Sequence, residues 1–477
     1  MAFAILLSLP GPQELSPEGW RTAAVGVLMA VWWITEAIPI PATALLPLVL
    51  FPLVGGGDID AAARPYANPL IGLFLGGFLI AIAMQRWGLH RRIALAIIET
   101  VGTSPPRLVG GFMLASALLS MGVSNTATAL MMLPIGLSVV ALARDAEGNL
   151  PPAAAPFGIA LMLAIAYGCN IGGLGTLIGT PPNTLMAGFL GETYGVDVGF
   201  AQWLLLGLPL VVVGLPLAYL LLVRWIFPLG SDSLLGGGDV IRQERAKLGP
   251  MRRPEIIVAG VFATVAALWM TRPLLEGLVP GLSDAGVAMT GGLALFLIPL
   301  DLRKGDFVLD WTSAKELPWD ILILFGGGLS LAGAVQETGL AAWIGESLGW
   351  VELLPLLGIM VVVALVIVML TEVTSNTATA ATFLPIMAAV ALGIGQNPFF
   401  LLVPVALAAS SAFMLPVATP PNAIVFGSRL LTIPQMARAG VYLNLLFVLL
   451  IAAMAYILVP LVFGAEHGVV PDWTNDP

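Results

Sequence analysis

Hydrophobic residues along this chain gather into stretches of membrane-crossing length at 22–37, 39–54, 69–85, 203–227, 255–271, 284–300, 320–336 and 440–463. A helix needs about 20 apolar residues to cross the hydrocarbon, so the shorter stretches imply tilt or thin packing. Four further apolar regions, at 108–143, 157–190, 353–392 and 399–428, are interrupted by polar or proline-containing runs. Irregular backbone at membrane depth is tolerated only where it is buried in protein or lines a cavity. These four regions are therefore where the chemistry is to be sought.

The polar segments between the stretches divide by charge. Segment 86–107 carries Arg86, Arg91, Arg92 and Arg107; 224–254 carries Arg224, Arg242, Arg245, Lys247, Arg252 and Arg253; 429–438 carries Arg429 and Arg438. Short loops rich in Lys and Arg stay on the cytoplasmic side, which predicts all three inside. Segments 191–202, 337–352 and 465–477 contain acids and no Lys or Arg, which predicts them outside. One arrangement satisfies all six: 108–143 and 353–392 enter and leave on the same side as re-entrant hairpins, whereas 157–190 and 399–428 cross with a break in the middle. Ten crossings and two hairpins result, with both termini outside.

Composition agrees and narrows the class. Only 10% of the 477 residues are charged and 58% are hydrophobic, where a soluble domain carries about 25% charged residues. The 54 Gly and 37 Pro are too many for plain helices and suit broken ones. The net charge of −9 is scattered over loops and tails without a basic stripe, which sets nucleic-acid partners aside. Cys169 is the only cysteine, so neither a disulfide nor a thiolate metal site can form within the chain. The opening MAFAILLSLPGPQE has no basic region before its short apolar run and no small-residue cleavage site. It fails as a signal peptide and reads as an interfacial or fraying segment.

An internal repeat organises the whole. Ser124-Asn125-Thr126-Ala127-Thr128-Ala129 recurs unchanged at Ser375-Asn376-Thr377-Ala378-Thr379-Ala380, 251 residues later (124 to 375). The same offset carries Phe74, Gly76 and Gly77 onto Phe325, Gly327 and Gly328, and Gln85, Gly88 and Leu89 onto Gln336, Gly339 and Leu340. Gly179-Thr180-Pro181-Pro182-Asn183 pairs with Ala418-Thr419-Pro420-Pro421-Asn422 at an offset of 239 (179 to 418), so the linker before it has shortened. Five crossings and one hairpin per half turn the second copy upside down. The basic segment after Gln85 has an acidic counterpart after Gln336, with Glu337, Glu346 and Glu352. Inverted repeats with paired Gly/Pro-interrupted segments mark a secondary transporter whose site lies near the midplane between the repeats.

The residues at the interruptions suit an anion together with a cation. A hairpin tip at Ser-Asn-Thr leaves helix-end amides and carbonyls to be satisfied in a low-dielectric place. The amide ends favour a carboxylate, and carbonyls with Ser, Thr and Asn oxygens suit a hard cation such as Na⁺. Proline lacks an N–H and forces the preceding residue out of the helical region, so Thr180 and Thr419 are predicted to be non-helical and to expose backbone in the middle of a membrane helix. Residues 157–190 and 353–392 contain no Lys or Arg, so an anion there is neutralised by helix ends, Asn and Thr donors or a co-bound cation. A single Ser-Asn-Thr is ordinarily a packing element and a single Pro-Pro a kink. Four such breaks paired by a repeat point instead to a site.

Several other residues need a reading. Glu372 is an ionisable group in an apolar run just before the second tip, with Met121 as its counterpart, so it is a functional candidate outside the symmetric machinery. Glu36 is expected near the cytoplasmic interface in a structural role, and Trp32, Trp33 and Trp203 in interfacial or scaffold packing. His90 and His467 are expected in loops and make no metal site.

Two Ser-Asn-Thr tips combined with two Thr-Pro-Pro-Asn breaks make the chain, from about 20 to 463, resemble the divalent-anion/sodium symporters. That family carries succinate, malate, fumarate, citrate and related anions. The resemblance implies an all-α polytopic membrane protein of two inverted repeats, with 10–11 transmembrane helices, two re-entrant hairpins and two broken helices. It further implies a homodimer in the inner membrane, with a scaffold domain and a transport domain that slides as an elevator. By that resemblance two Na⁺ sites are implied, one of Ser124 and Asn125 with backbone from Ser120 and Gly179, the other of Asn376 with Thr371, Thr374 and Ala418. The anion would touch Asn125, Thr126, Asn376 and Thr377, with Thr180, Pro181, Thr419 and Pro420 closing the sides.

The corresponding division is 1–20 as an N-terminal segment, 21–107 and 255–350 as scaffold, 108–228 and 351–464 as transport parts, 229–254 as a cytoplasmic linker and 465–477 as a tail. Family members usually have an additional N-terminal crossing, which residues 1–20 are too short and too rich in Pro and Gly to supply. The leading expectation is a Na⁺-coupled dicarboxylate symporter. A dicarboxylate exchanger and a sulfate or other inorganic-anion transporter share the same motifs. A channel is disfavoured because hairpins entering from opposite sides leave no through-path. An intramembrane enzyme is disfavoured because the broken regions hold no His and only Cys169.

Overall fold

A computed structural model describes residues 6–54, 57–143, 151–152, 154–230, 237–275, 277–347 and 354–474. Residues 1–5, 231–236, Glu352 and 475–477, which entered the reading of segment ends and sides, lie outside the described residues. The first half runs through α1 (Pro17–Thr35), a short turn Ile40–Thr43, α2 (Leu46–Val54), α3 (Pro69–Arg86), α4 (Leu89–Val101), α5 (Pro105–Ser120), α6 (Asn125–Ala141), α7 (Ala155–Gly173), α8 (Pro181–Tyr194) and α9 (Phe200–Leu220). α9 continues as a π turn over Leu221–Ile226. After α10 (Gly237–Lys247) the second half runs through α11 (Arg253–Leu275), α12 (Asp284–Leu297), α13 (Trp319–Glu337), α14 (Leu340–Ser347), α15 (Leu356–Thr371), α16 (Asn376–Gly393), α17 (Phe399–Ala409), α18 (Pro420–Phe426) and α19 (Ile433–Phe463). Each helix of the first half thus has its counterpart ten helices on.

Among the described residues seven helices are long and apolar enough to cross a membrane, and the only sheet is a small antiparallel pair, Pro299–Asp301 with Asp306–Phe307. The hairpins and broken helices fall where the interrupted regions lie. Three details differ from the sequence reading. The stretch 39–54 is divided by the turn at Ile40–Thr43 into two short pieces. His90 sits on α4 and not in a loop, because 89–101 has a strongly one-sided apolar face that buries Leu89, Ala94, Leu95 and Ile98. The basic linker 229–254 contains the helix α10, held by ion pairs: Arg91 of α4 reaches Glu244 at 2.5 Å, and Arg245 pairs with Glu99. Lys247, three residues on, hydrogen-bonds the Glu244 carboxylate and with Arg91 holds its pKa below the usual range. Beside it Arg92 pairs with the buried Glu255 at 2.9 Å, which joins α4 to the first turn of α11.

The two halves interlock through a contact made twice. Gly76 of α3 lies so close to α12 that a Cβ would collide with the backbone of Ala288, and Gly327 of α13 lies equally close to the backbone of Ala44. Gly76 and Gly327 are repeat partners, so each half offers a glycine to the other's first hairpin of helices. Small residues let membrane helices approach to backbone contact, where dispersion and not the hydrophobic effect holds them. Gly333, two turns further along α13, has nothing within 4 Å of a Cβ. Gly327→Leu is therefore expected to lower the thermal unfolding midpoint in detergent, followed by tryptophan fluorescence, with an overpacking cost of about 1–3 kcal/mol or more. Gly333→Ala should leave the midpoint unchanged or slightly raised.

Candidate functional site

Both hairpin tips are built alike. α5 ends at Ser120, and Ser124 caps the start of α6 by accepting the Ala127 N–H at 3.3 Å. α15 ends at Thr371, and Ser375 accepts the Ala378 N–H at 3.5 Å at the start of α16. Serine at an N-cap satisfies one of the free amides of the first turn and leaves the others facing forward.

The two broken helices are also built alike, and the asparagine of each Thr-Pro-Pro-Asn run explains how. Thr180 (φ −147°, ψ 143°) and Thr419 (φ −142°, ψ 149°) are extended, as their place before proline requires. From the first turn of α8, the Asn183 amide donates back to the carbonyls of Gly173 at 3.1 Å and Thr176 at 2.9 Å. From α18, the Asn422 amide donates to Ala412 at 3.3 Å and Leu415 at 3.0 Å. The accepting carbonyls are repeat partners, ten and seven residues before the asparagine in both halves. Each asparagine thus satisfies carbonyls that the interruption strips of helical partners. Trp203, expected as plain packing, donates its indole N–H to the Leu174 carbonyl at 3.1 Å.

The two breaks are tied to each other. Asn170 of α7 donates to Thr419 Oγ1 at 3.1 Å and to the Ala412 carbonyl at 3.3 Å, the Thr180 and Ser410 hydroxyls meet at 3.0 Å, and the Tyr167 hydroxyl donates to the Phe413 carbonyl at 2.9 Å.

Tips and breaks converge on one cavity of about 640 Å³. α6, α8, α16 and α18 all begin at its wall, at Asn125, Pro181, Asn376 and Pro420. Thr126, Thr180, Thr377 and Thr419 complete the eight residues expected to touch an anion, and all eight line it. The lining contains no Lys or Arg, and Glu36, Glu316 and Asp320 stand at its exposed rim. Glu36, expected in a structural role, is the αL cap of α1 (φ 48°) and faces this cavity.

Behind the wall each tip gathers a cluster of oxygen atoms. At the first tip the Asn125 amide oxygen and the Ser120 hydroxyl are buried with no hydrogen-bond partner. A Cβ on Gly173 would stand 3.1 Å from the Asn125 amide and 3.2 Å from the Gly179 carbonyl oxygen, so those two groups point at one spot. At the second tip Thr371 Oγ1 lies 2.7 Å from both Asn376 Oδ1 and the Ala409 carbonyl, and its single proton can serve only one of them well. Thr374 contacts Thr379 at 2.7 Å and donates to Leu370 at 2.9 Å. Ser124, Gly179, Thr374 and Ala418 reach the cavity surface, whereas Ser120 and Thr371 sit behind it.

A family model described as the sodium:sulfate symporter transmembrane region matches residues 1–463. This chain belongs to that family of symporters. Among curated relatives it is 44% identical over 472 residues to the sodium-dependent dicarboxylate transporter SdcS of Staphylococcus saprophyticus, covering 98% of this chain and 91% of the relative. The SdcS protein of Staphylococcus aureus is 43% identical over the same span. Solved structures with the same fold include the Alcanivorax borkumensis YdaH transporter (TM-score 0.60, 15% identity, 92% of this chain and 99% of that one) and Neisseria gonorrhoeae MtrF (TM-score 0.58, 12% identity, 95% and 97%). At those identities the likeness concerns the fold alone.

Within this symporter fold, the residues that sequence reasoning left out of the site are Asn170, Asn183, Ser410 and Asn422. The two Pro-Pro-Asn motifs contained a signal for half of them, since an amide directly after a proline-broken turn is placed to cap it. Asn183→Ala removes the side-chain donor to the Gly173 carbonyl and leaves Thr176 only the Gly179 N–H, whereas after Asn422→Ala the Ala412 carbonyl keeps the Asn170 amide and Leu415 keeps the Ala418 N–H. Asn183→Ala should cost about 1–3 kcal/mol, measured as a fall in the thermal midpoint, and Asn422→Ala should cost less because both of its carbonyls retain a donor.

Proposed function

We propose that this chain is a Na⁺-coupled symporter of C4-dicarboxylate-type anions such as succinate, malate and fumarate, working from the inner (plasma) membrane as a homodimer. The observation that carries this reading is a cavity ringed by paired tips and breaks that contains no Lys or Arg yet is lined by amide ends and hydroxyls. The start of α6, α8 or α16 presents partial positive charge to a carboxylate, and two carboxylates need more than one such end. The amide ends of the two tips, related by the repeat, suit the two ends of one dianion, with the Asn125, Thr126, Asn376 and Thr377 side chains beside them. The Thr180–Pro181 and Thr419–Pro420 corners close its flanks.

Partial charges of helix ends do not neutralise two full charges in a site without a base, so binding is completed by cations. Two Na⁺ are assigned, as cargo, to the oxygen-rich pockets behind the tips. One takes Ser124, Asn125, Ser120 and Gly179; the other takes Asn376, Thr371, Thr374 and Ala418. Hydroxyl, amide and carbonyl oxygens are the ligands a hard cation prefers. The hairpins with the broken helices, α9 and α19 form the moving transport part, and 21–107 with 255–350 the scaffold. The rim at Glu36, Gln85 and Glu316 adjoins the basic segment beginning at Arg86, so the cavity faces the cytoplasm and the conformation is inward-open. The close identity to proteins named sodium-dependent dicarboxylate transporters supports both the anion class and the coupling.

Uptake of radiolabelled succinate into proteoliposomes tests this. Uptake should require an inward Na⁺ gradient and not internal succinate, and Asn125→Ala and Asn376→Ala should each lower it at least tenfold at fixed Na⁺. Uptake that ignores Na⁺ and requires internal succinate would make the protein an exchanger. Sulfate uptake in place of succinate would move it to inorganic anions.

A further inference from the structure

Symmetry between the repeats fails at one buried position, and it fails by a full charge. Glu372, first residue of the second tip, is 3% exposed. One of its oxygens accepts the N–H groups of Phe413 at 2.8 Å and Met414 at 2.9 Å and the side-chain amide of Asn444 at 2.8 Å; the other accepts the Leu415 N–H at 2.9 Å. Asn444 lies on α19, four residues after Gly440, which packs against the backbone of Phe413 and Met414. In the first repeat Gly207 packs in the same way against Leu174 and Gly175, which places Val211 opposite Asn444. There Met121 stands for Glu372, and a Cβ on Gly175 would meet Met121 Cε at 3.1 Å and Val211 Cγ2 at 3.2 Å. The same architectural position is therefore Met on Val in one repeat and Glu on Asn in the other.

The carboxylate is part of the frame of only one cation pocket. Glu372 is the chain neighbour of Thr371 and two residues from Thr374. The segment it holds, 413–415, joins Ala409, whose carbonyl meets Thr371, to Ala418. At an effective dielectric of about 20, a carboxylate adjoining the ligands of a cation raises its affinity on the order of tenfold or more. At the first tip the counterpart of that carboxylate is the thioether of Met121.

Building on the two-cation reading above, we infer that Glu372 is a positioning residue that makes the two cation sites unequal. The pocket at the second tip holds Na⁺ before any anion arrives. The pocket at the first tip gains its countercharge from the dicarboxylate and fills with it. Loading is thereby ordered, although the hairpins that perform it are near copies.

Binding of radioactive Na⁺ to the purified full-length protein, with and without succinate, tests the inference. For the wild type we expect about half of the saturable Na⁺ sites to fill without succinate and the remainder to appear only when it is added. Glu372→Gln should weaken the succinate-independent binding tenfold or more while the protein keeps its elution profile. If Glu372→Gln does not fold, Asn376→Ala should impair succinate-independent binding more than Asn125→Ala does. The inference is overturned if the wild type fills both sites equally without succinate. It is also overturned if folded Glu372→Gln, even with a lower melting point, titrates Na⁺ like the wild type, or if Asn125→Ala is the more damaging variant. Absence of saturable Na⁺ binding in any condition would sink the two-cation reading together with this one.

Discussion

A polypeptide that breaks its helices inside a membrane must find partners for the backbone groups it frees, and the structure depends on how this chain does so. Water is not available to them, and each unsatisfied group costs several kcal/mol. At each broken helix a single asparagine side chain takes up two of the stripped carbonyls, Asn183 for Gly173 and Thr176 and Asn422 for Ala412 and Leu415. In the second break three N–H groups are met by Glu372. Once these groups are settled, what remains free faces inward: amide ends of helices toward the cavity and a few oxygens behind the tips. The wall of the cavity is the residue of that accounting.

The same constraint explains why the repeats could duplicate their framework and still diverge in chemistry. Backbone needs are set by the break itself, so the asparagines and the prolines recur at fixed spacing. Glycines recur where helices meet at backbone distance, as at Gly76 and Gly327 or Gly207 and Gly440. The side chain at the first tip position has only to cover the neighbouring break, which Met121 does by packing and Glu372 by hydrogen bonds. A fixed charge can therefore enter one half without disturbing the fold of the other.

Cross-links between the halves give the arrangement a mechanical character. Asn170 joins the first broken helix to Thr419 in the second, and Thr180 meets Ser410. A shift of either break is felt at the other through a hydrogen bond in a low-dielectric interior, where such bonds are strong and costly to leave unmade. The cavity between them carries carboxylates at its rim and no Lys or Arg in its lining, so what its wall offers an anion is helix dipoles and polar hydrogens and not an ion pair.

Much of this was legible in the sequence. The spans, the four interruptions and the inverted repeat follow from hydrophobic length, from proline chemistry and from the 251- and 239-residue offsets, because those signals are local or self-referential. The eight residues at the cavity wall lie in the motifs that announced them. Tertiary structure alone decided what those motifs touch. Asn170 within α7 and Ser410 just past the end of α17 become part of the tie between the breaks only when residues some 230–250 positions apart are brought together. Glu36 reached the cavity rim because α1 ends there in a left-handed turn, and Glu372 changed from an anomalous acid to the keystone of a break once Phe413, Met414, Leu415 and Asn444 were seen around it. Local sequence specifies where a helix must break, but which group satisfies the break depends on contacts that exist only after the chain has packed.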